Sequence, residues 1–191
     1  MKKIIFIILV CYLNNNYSQA PDFQWARHVG GSYDDMSSSL VVDSIGNVYN
    51  VGYFQGTADF DPSSNVVNLT SNGSRDIYIN KLDPNGNFVW VKQIGGADVE
   101  SAYAINLDMN GDIYLSGYFR STVDFDPGIG IYNLTSNGIS DIFILKLDDQ
   151  GNFIWAKQIG GSENDISNSL VTDLNNNVFI SGYFKNTVDF D

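Results

Sequence analysis

The sequence repeats itself with a period of 65 residues, and this repeat constrains the fold more than any other feature. Trp25, Trp90 and Trp155 mark three successive copies. A Gly-Tyr-Phe triplet and an Asp-Phe-Asp triplet recur at the same offset, starting at Gly52, Gly117 and Gly182 and at Asp59, Asp124 and Asp189. Such a fixed period is typical of proteins whose units bury their apolar faces only against their neighbours.

Each unit predicts four short β-strands and no helix. In the first complete unit these strands cover residues 37–43, 47–54, 76–82 and 87–94. They are rich in β-branched and aromatic residues and are separated by Gly, Asn, Asp and Pro clusters. The order predicts an all-β antiparallel meander. Four-stranded units repeated along a chain favour the radially stacked blades of a β-propeller.

Three segments resemble a known repeat, namely residues 30–61, 95–126 and 160–191. Their shared pattern of Gly-Gly, an acidic residue, Asp, Gly-Asn, Val-Tyr, Gly-Tyr-Phe and Asp-Phe is similar to that of the SBBP family of seven-bladed β-propellers. The resemblance implies a secreted or cell-surface bacterial protein, often with a C-terminal sorting domain and mostly without assigned chemistry. In the third copy Asn176-Asn177 replaces Gly46-Asn47, which leaves the geometry of that turn open.

Residues 1–20 predict a secretory signal peptide. Lys2 and Lys3 precede an apolar run over residues 4–13, and a polar stretch follows. This run is too short to span a bilayer. Cys11 lies inside the run and not after small residues, so we favour an ordinary signal over a lipid anchor. The mature protein is then expected to be secreted or on the outer cell surface, with no membrane span and no disulfide.

The repeat divides the chain into unequal parts. We predict a signal peptide at 1–20, an orphan outer strand and linker at 21–36, a first blade at 37–94, a second at 95–159 and a partial third at 160–191. The 171 residues from Pro21 onward amount to about 2.6 units, whereas propellers close with roughly four to eight blades. We therefore expect an incomplete propeller of about 2.5 blades and a fragment of a longer protein.

The charge balance excludes one class of partner. Ten Lys and Arg residues face 22 Asp and Glu residues, which gives a formal net charge of −12. A chain this acidic repels phosphate backbones, so no nucleic-acid partner is expected.

Calcium is the one metal that the sequence suggests, at low specificity. Asp108, Asn110 and Asp112 alternate oxygen side chains as calcium loops do, although a plain hairpin turn is the better account of them. Two further pairs place carboxylates on one side of an extended segment and could bind calcium or cap turns: Asp59 with Asp61, and Asp124 with Asp126.

Residues for catalysis are scarce. His28 is the one histidine, Glu100 and Glu163 are the only glutamates, and the mature chain has no cysteine. His28 occupies the repeat position of Gln93, which indicates a structural place on an outer strand. We predict no catalytic residue, no cofactor and no enzyme activity in this segment.

The sequence therefore predicts a secreted or cell-surface binding or scaffold module. Loops at the blade ends would bind a protein or a glycan while the sheets act as scaffold. The alternative is the N-terminal part of a propeller enzyme, or of a calcium-binding adhesin, whose site lies in blades outside this sequence.

Overall fold

The computed structural model describes residues 22–190, and in this part of the chain all regular structure is β-strand. The strands are β1 (Gly30–Gly31), β2 (Met36–Val42), β3 (Val48–Phe54), β4 (Thr57–Asp59), β5 (Asn68–Thr70), β6 (Asp76–Leu82), β7 (Phe88–Ile94), β8 (Ser101–Leu107), β9 (Ile113–Phe119), β10 (Thr122–Asp124), β11 (Asn133–Thr135), β12 (Asp141–Leu147), β13 (Phe153–Ile159), β14 (Ile166–Thr172) and β15 (Val178–Tyr183). Among these residues no helix is long and apolar enough to cross a membrane. The predicted signal peptide lies outside the described residues.

The two complete units are four-stranded antiparallel sheets in the strand orders β2-β3-β6-β7 and β8-β9-β12-β13. Each strand pairs with the next long strand along the chain, so the predicted meander and the all-β class are confirmed. The predicted strand bounds differ from the observed ones by at most one residue. The third unit supplies the two-stranded sheet β14-β15, and the described residues do not close a ring.

A short hairpin that the sequence did not predict stands between the second and third strands of each complete blade. It pairs β4 with β5 and β10 with β11. In both copies two threonine hydroxyls face each other across the ladder, Thr57 and Thr70 at 2.8 Å and Thr122 and Thr135 at 2.8 Å. The first hairpin also pairs with β1, which carries the chain into the first blade.

The core lies between successive sheets. Strand β8 packs against β2 and β3, and β14 packs against β8 and β9. The same aromatic contact recurs in each unit: Phe119 meets Phe125 edge to face at 5.2 Å, as Phe54 meets Phe60 at 5.3 Å. All four rings are buried. Such edge-to-face pairs stabilise beyond the area they bury.

The first strand of every blade contains a β-bulge. In β8 the register shifts between Ala102 and Ala104, which leaves Tyr103 without a partner on β9. The bulge lies opposite the Gly of the Gly-Tyr-Phe triplet. A side chain would not fit at this Gly, because a Cβ at Gly117 would lie 2.0 Å from the Ser101 carbonyl oxygen. Since a bulge redirects the side chain at the extra residue, Tyr103 is displaced from the regular pleat.

The segment before β1 occupies the place of an outer strand without pairing as one. Residues 22–29 form no strand, and the described residues offer no strand beside them. The Trp25 indole nitrogen donates to the Pro84 carbonyl at 3.0 Å, and Arg27 Nε donates to the Gly86 carbonyl at 2.9 Å. Trp90 lies in the same way over Gly151, one repeat later. The tryptophan thus packs against the following blade in both copies.

Candidate functional site

Each blade presents two ends with different chemistry. The turn end consists of the tight hairpin turns at residues 43–47, 83–87, 108–112, 148–152 and 173–177. The loop end consists of the segments that join successive blades and the segments that carry the short hairpins, at residues 55–75, 95–100, 120–140 and 160–165.

The turn end is built by one aspartate per turn. In the first turn Asp43 Oδ1 accepts hydrogen bonds from the backbone N–H groups of Ile45 at 3.0 Å and Asn47 at 2.8 Å, and Asn47 Nδ2 donates to Oδ2 at 2.7 Å. The same first-position carboxylate caps each of the other turns, from Asp83, Asp108, Asp148 and Asp173. Much of the acidity of the chain therefore serves turn formation.

These hydrogen bonds lower the pKa of four turn aspartates, namely Asp43, Asp83, Asp148 and Asp173. The backbone N–H of Asn87 holds the pKa of Asp83 below its usual value despite some burial. Burial alone would raise the pKa of Asp148, but hydrogen bonds from Asn152 and Gln150 outweigh it and lower the pKa. Hydrogen bonding to the charged form of a carboxyl favours that form.

The turn at residues 173–177, whose geometry the sequence did not determine, has the same geometry as the others. The fourth position needs a positive φ, which Gly46 supplies at 91° and Gly111 at 85°. In the third unit Asn176 takes this position at φ 63°. Asparagine tolerates the left-handed region better than other residues with a side chain, so the replacement keeps the turn.

The first calcium candidate is occupied by a cation of the chain itself. Lys146 Nζ lies 2.8 Å from Asp112 Oδ2 and 3.4 Å from Asp108 Oδ2. Burial disfavours the charged Lys146, but the hydrogen bond to Asp112 outweighs this and raises the pKa. Asp108 Oδ1 meanwhile accepts from the backbone of Asn110 and Asp112. Calcium would have to displace Lys146 here.

The second and third candidates cap the loop of the short hairpin. Asp59 Oδ1 accepts from Asp61 N at 3.1 Å and Val67 N at 2.8 Å. Asp124 Oδ1 accepts in the same way from Asp126 N at 3.0 Å and from Tyr132 N at 2.8 Å, while Asp61 and Asp126 each accept from the backbone two residues on. Within residues 22–190 no three His, Cys, Asp or Glu side chains are grouped to hold a metal ion. Calcium binding stays a prediction.

Two residues considered for catalysis lie apart from each other. His28 is exposed on the segment before β1. Glu163 forms an ion pair with Lys185 at 3.1 Å at the loop end. Gln158, the repeat equivalent of His28, donates to the Asp141 carboxylate at 2.6 Å, so this position carries a structural hydrogen bond in a complete blade.

The loop end carries a cluster of aromatic rings and one cation where the first and second blades meet. The Arg75 guanidinium lies over the Tyr53 ring at 4.4 Å, and the rings of Tyr103 and Tyr118 are 5.8 Å apart. We call these four residues the Tyr103 cluster. Burial raises the pKa of Tyr103, Tyr118 adds to the rise, and the nearby Arg75 charge opposes it; Tyr183 of the third unit also acts on Tyr103.

Glu100 lies beside this cluster and is fully buried. Its N–H donates to the Arg75 carbonyl at 3.0 Å, and its Oε2 accepts from Gly96 N at 2.9 Å. Its Oε1 has no hydrogen-bond partner in the described part of the chain. Burial raises the pKa of Glu100 to about 8, with Asp76 and Asp98 adding to the rise. The carboxyl is therefore mostly neutral at pH 7.

The repeat provides an internal comparison for Glu100. Its equivalent in the third unit is Asp165, which is one methylene shorter. Asp165 uses both oxygens, since Oδ2 accepts from Gly161 N at 2.7 Å and Oδ1 from Lys185 N at 3.0 Å. In the second blade the longer glutamate satisfies one oxygen and leaves the other unpaired. Glutamate in place of aspartate therefore loses one side-chain hydrogen bond at this repeat position.

Several departures from the repeat meet at this one place. Arg75 stands where the second blade has Ser140, and Tyr103 stands where the other units have Ser38 and Asn168. The sequence did not single out these residues because none belongs to a known motif. A position-by-position comparison of the three copies contains the signal, but only the packing of β8 against β2 and β3 brings the residues together.

Comparison with known proteins agrees with this architecture. A sequence model of the SBBP family, described as a beta-propeller repeat, matches residues 154–183. This segment covers most of β13 and all of β14 and β15. The sequence resemblance to SBBP repeats is thus confirmed for this copy.

Two curated proteins are similar to longer parts of the chain. An uncharacterised WD repeat-containing protein of Acanthamoeba polyphaga mimivirus is 29% identical over 113 residues, which are 52% of this chain and 8% of that protein. The regulatory protein FlaEY of Caulobacter vibrioides is 25% identical over 161 residues, which are 82% of this chain and 16% of that protein. The chain spans less than a fifth of either relative's length. With its blade sheets and its SBBP match, the chain is a β-propeller repeat protein.

Proposed function

We propose that the protein is a secreted or cell-surface binding module whose loop end holds a ligand while the sheets act as scaffold, without catalysis by this segment. The observation that carries the proposal is the Tyr103 cluster, where Tyr103 and the Arg75 guanidinium depart from an otherwise regular repeat and lie beside its repeated tyrosines Tyr53 and Tyr118. Residues that break a structural rule without a packing benefit are expected at functional sites.

The charges at the loop end support a binding role. Within residues 22–190 the guanidinium groups of Arg75 and Arg120 form no salt bridge, whereas Lys146 and Lys185 both do. Arg120 Nε is buried without a hydrogen-bond partner among the described residues. Arginine and tyrosine are also the residues that most often dominate binding energies.

The polar groups of the tight turns are largely satisfied within the chain. Their carboxylates accept hydrogen bonds from their own backbone, and Lys146 pairs with Asp108 and Asp112. A site whose polar groups are already satisfied gains little from a ligand. This contrast favours the loop end as the binding face.

A comparison of variants on immobilised glycans and peptides tests the proposal. The full chain is compared with the double variant Arg75→Ser and Tyr103→Ser, which takes the residues of equivalent repeat positions 140 and 38. The control is Met109→Ser at the turn end, which takes the residue of position 44. We expect the double variant to lose ligands that the control keeps. A ligand lost by the control and kept by the double variant contradicts the proposal.

Export is proposed from the N-terminal sequence pattern. Expression of the full reading frame with its first 20 residues in a bacterial host should release a protein that begins at Gln19 or Pro21. Intact-mass measurement of the exported and cytoplasmic fractions checks this. An unprocessed protein that stays in the cytoplasm would contradict secretion without affecting the binding proposal.

A further inference from the structure

Because the repeat is regular, the positions at which one unit departs from it are informative. Three of the residues at the junction of the first two blades, Arg75, Glu100 and Tyr103, differ in residue type from their repeat equivalents. We propose that the Tyr103 cluster is a subsite for a sugar ring that carries a single carboxylate, that is, for a hexuronic acid. This inference rests on the proposed binding function and names its ligand class.

Arg75 supplies the charge that would recognise the carboxylate. Its guanidinium carbon lies over the Tyr53 ring, 4.4 Å from the ring centroid, and this cation–π contact holds the group in place. Within the described residues this guanidinium has no side-chain hydrogen bond and no ion pair. A planar fork of donors matches the two oxygens of a carboxylate, and such charge-assisted pairs are about twice as strong as neutral ones.

The tyrosine rings supply the surface for the sugar ring. The rings of Tyr103 and Tyr118 are in contact, with their centroids 5.8 Å apart and their planes tilted by 49°. Tyr183 of the third unit acts electrostatically on Tyr103 and is half exposed. The C–H face of a pyranose ring packs on aromatic faces through weak C–H contacts. Tyr103 and Tyr183 therefore offer partly exposed aromatic rings, and the buried Tyr118 packs against Tyr103.

The acids near Arg75 favour a sugar over an acidic peptide. The backbone of Arg75 donates to the Asp98 carbonyl at 3.3 Å, and the Asp98 carboxylate accepts from the Ser121 hydroxyl at 3.2 Å. A carboxylate that already accepts from a hydroxyl can accept from sugar hydroxyls, whereas it repels a second negative charge. The net charge of −12 acts in the same direction against polyacidic partners. One carboxylate matched by one guanidinium is the ligand that fits.

Glu100 keeps the charge of Arg75 available. Its backbone N–H donates to the Arg75 carbonyl, yet its Oε1 is buried and pairs with no group in the described part of the chain. An ionised glutamate at this place would offset the positive charge of the cluster. Burial keeps the group mostly neutral at pH 7, since it raises the pKa to about 8.

Titration of the full chain with galacturonic acid, followed by NMR, tests the inference. Galactose is the neutral arm and the dipeptide Glu-Glu is the acidic-peptide arm. Arg75→Ser should weaken galacturonate binding at least about tenfold, since a charge-assisted pair contributes about 1.4 kcal/mol or more. Tyr103→Ser should weaken galacturonate and galactose alike. Lys157→Ser removes a positive charge from the exposed outer strand β13 and should change neither.

Each outcome decides between the possibilities. Thermal melting of both variants checks that they fold, as expected for serines that the chain already carries at equivalent positions. Equal binding of galacturonate and galactose, no galacturonate binding, or galacturonate binding unaffected by Arg75→Ser overturns the inference. Tighter binding of Glu-Glu that Arg75→Ser abolishes overturns the sugar class but leaves the proposed loop-end function standing. If the ligands found on the immobilised glycans and peptides bind the double variant Arg75→Ser and Tyr103→Ser as well as the parent, both this inference and the proposed loop-end function are overturned.

Discussion

Glu100 is the residue whose environment departs furthest from that of its repeat equivalents, and it gives the chain a specific pH dependence. Its pKa is about 8 in the fold against 4.5 for the ordinary side chain, so folding favours the protonated form. Its contribution to stability is complete below about pH 4.5 and is lost as the pH rises through about 8, with a slope of at most about 1.4 kcal/mol per pH unit.

The variant Glu100→Gln removes this titration. Urea denaturation at about pH 5 and about pH 8.5 should show a fall in the free energy of unfolding for the parent and a smaller fall for Glu100→Gln. Glu163→Gln, in the exposed ion pair with Lys185, is the matched control and should keep the parent's slope. Equal slopes for the parent and Glu100→Gln would show that Glu100 is ionised in the fold.

A neighbouring pair of aspartates tests the role of the turn carboxylates. Asp148 accepts from Gln150 N at 2.9 Å and from Asn152 N at 2.8 Å, whereas the Asp149 side chain accepts only from the exposed Gln150 side chain. Asp148→Ala should lower the free energy of unfolding by about 2 kcal/mol. Asp149→Ala should stay within about 0.5 kcal/mol. Urea denaturation checks both, and comparable losses would show that the turns do not depend on this carboxylate.

At the scale of elements, the turn geometry can be separated from packing at Gly111. Its φ is +85°, and a Cβ there would meet its nearest atom only at 3.8 Å, so space is available and only the backbone conformation is strained. Gly111→Ala should cost about 1 kcal/mol of stability. Gly111→Asn should cost less than half of that, because Asn176 takes the same position in the third unit. Equal costs, measured by thermal melting, would mean that side-chain packing and not backbone strain governs this turn.

The long strands could be predicted from the sequence, and the smaller elements could not. Stretches of seven residues between turn clusters show their β-branched and aromatic content clearly. Strands β5 and β11 have three residues each, too few for a pattern of alternation, although Asn-Leu-Thr recurs in both. The bulge at Tyr103 was hidden for another reason, since small residues on either side of it look like an unbroken alternation.

The candidate site was beyond the sequence for a physical reason. Asp108, Asn110 and Asp112 form a local pattern that is visible in the sequence. In the structure the two carboxylates belong to the turn and pair with Lys146. Arg75 and Tyr103 instead belong to different blades. Their proximity depends on how β8 packs against the first sheet, which no local pattern encodes.

At the scale of the whole molecule, the third unit exposes apolar side chains whose equivalents in the second blade are buried. Phe119 is 0% exposed, whereas its equivalent Phe184 is 55% exposed, and Phe179 on β15 is 55% exposed where Tyr114 is buried. An unpaired strand edge beside exposed apolar side chains promotes association. A polypeptide of this sequence should therefore self-associate with increasing concentration.

Light scattering coupled to size-exclusion chromatography measures this association. Phe179→Lys should shift the protein toward the monomer, because it places a charge on the uncovered face. Ile131→Lys, on a more exposed residue of the hairpin loop in the second blade, should leave the association unchanged. A monomer at every concentration, or equal effects of the two variants, would show that the face of β14 and β15 is not the contact.

Hydrogen–deuterium exchange of the full chain with and without galacturonic acid tests most directly the claim that the loop end of the first two blades is the binding face. The account predicts slower exchange on sugar binding in residues 72–76 and 96–104, around Arg75, Glu100 and Tyr103. The turns at 43–47 and 108–112 should exchange at unchanged rates. Protection confined to those turns, or identical exchange throughout the chain with and without the sugar, would contradict the account.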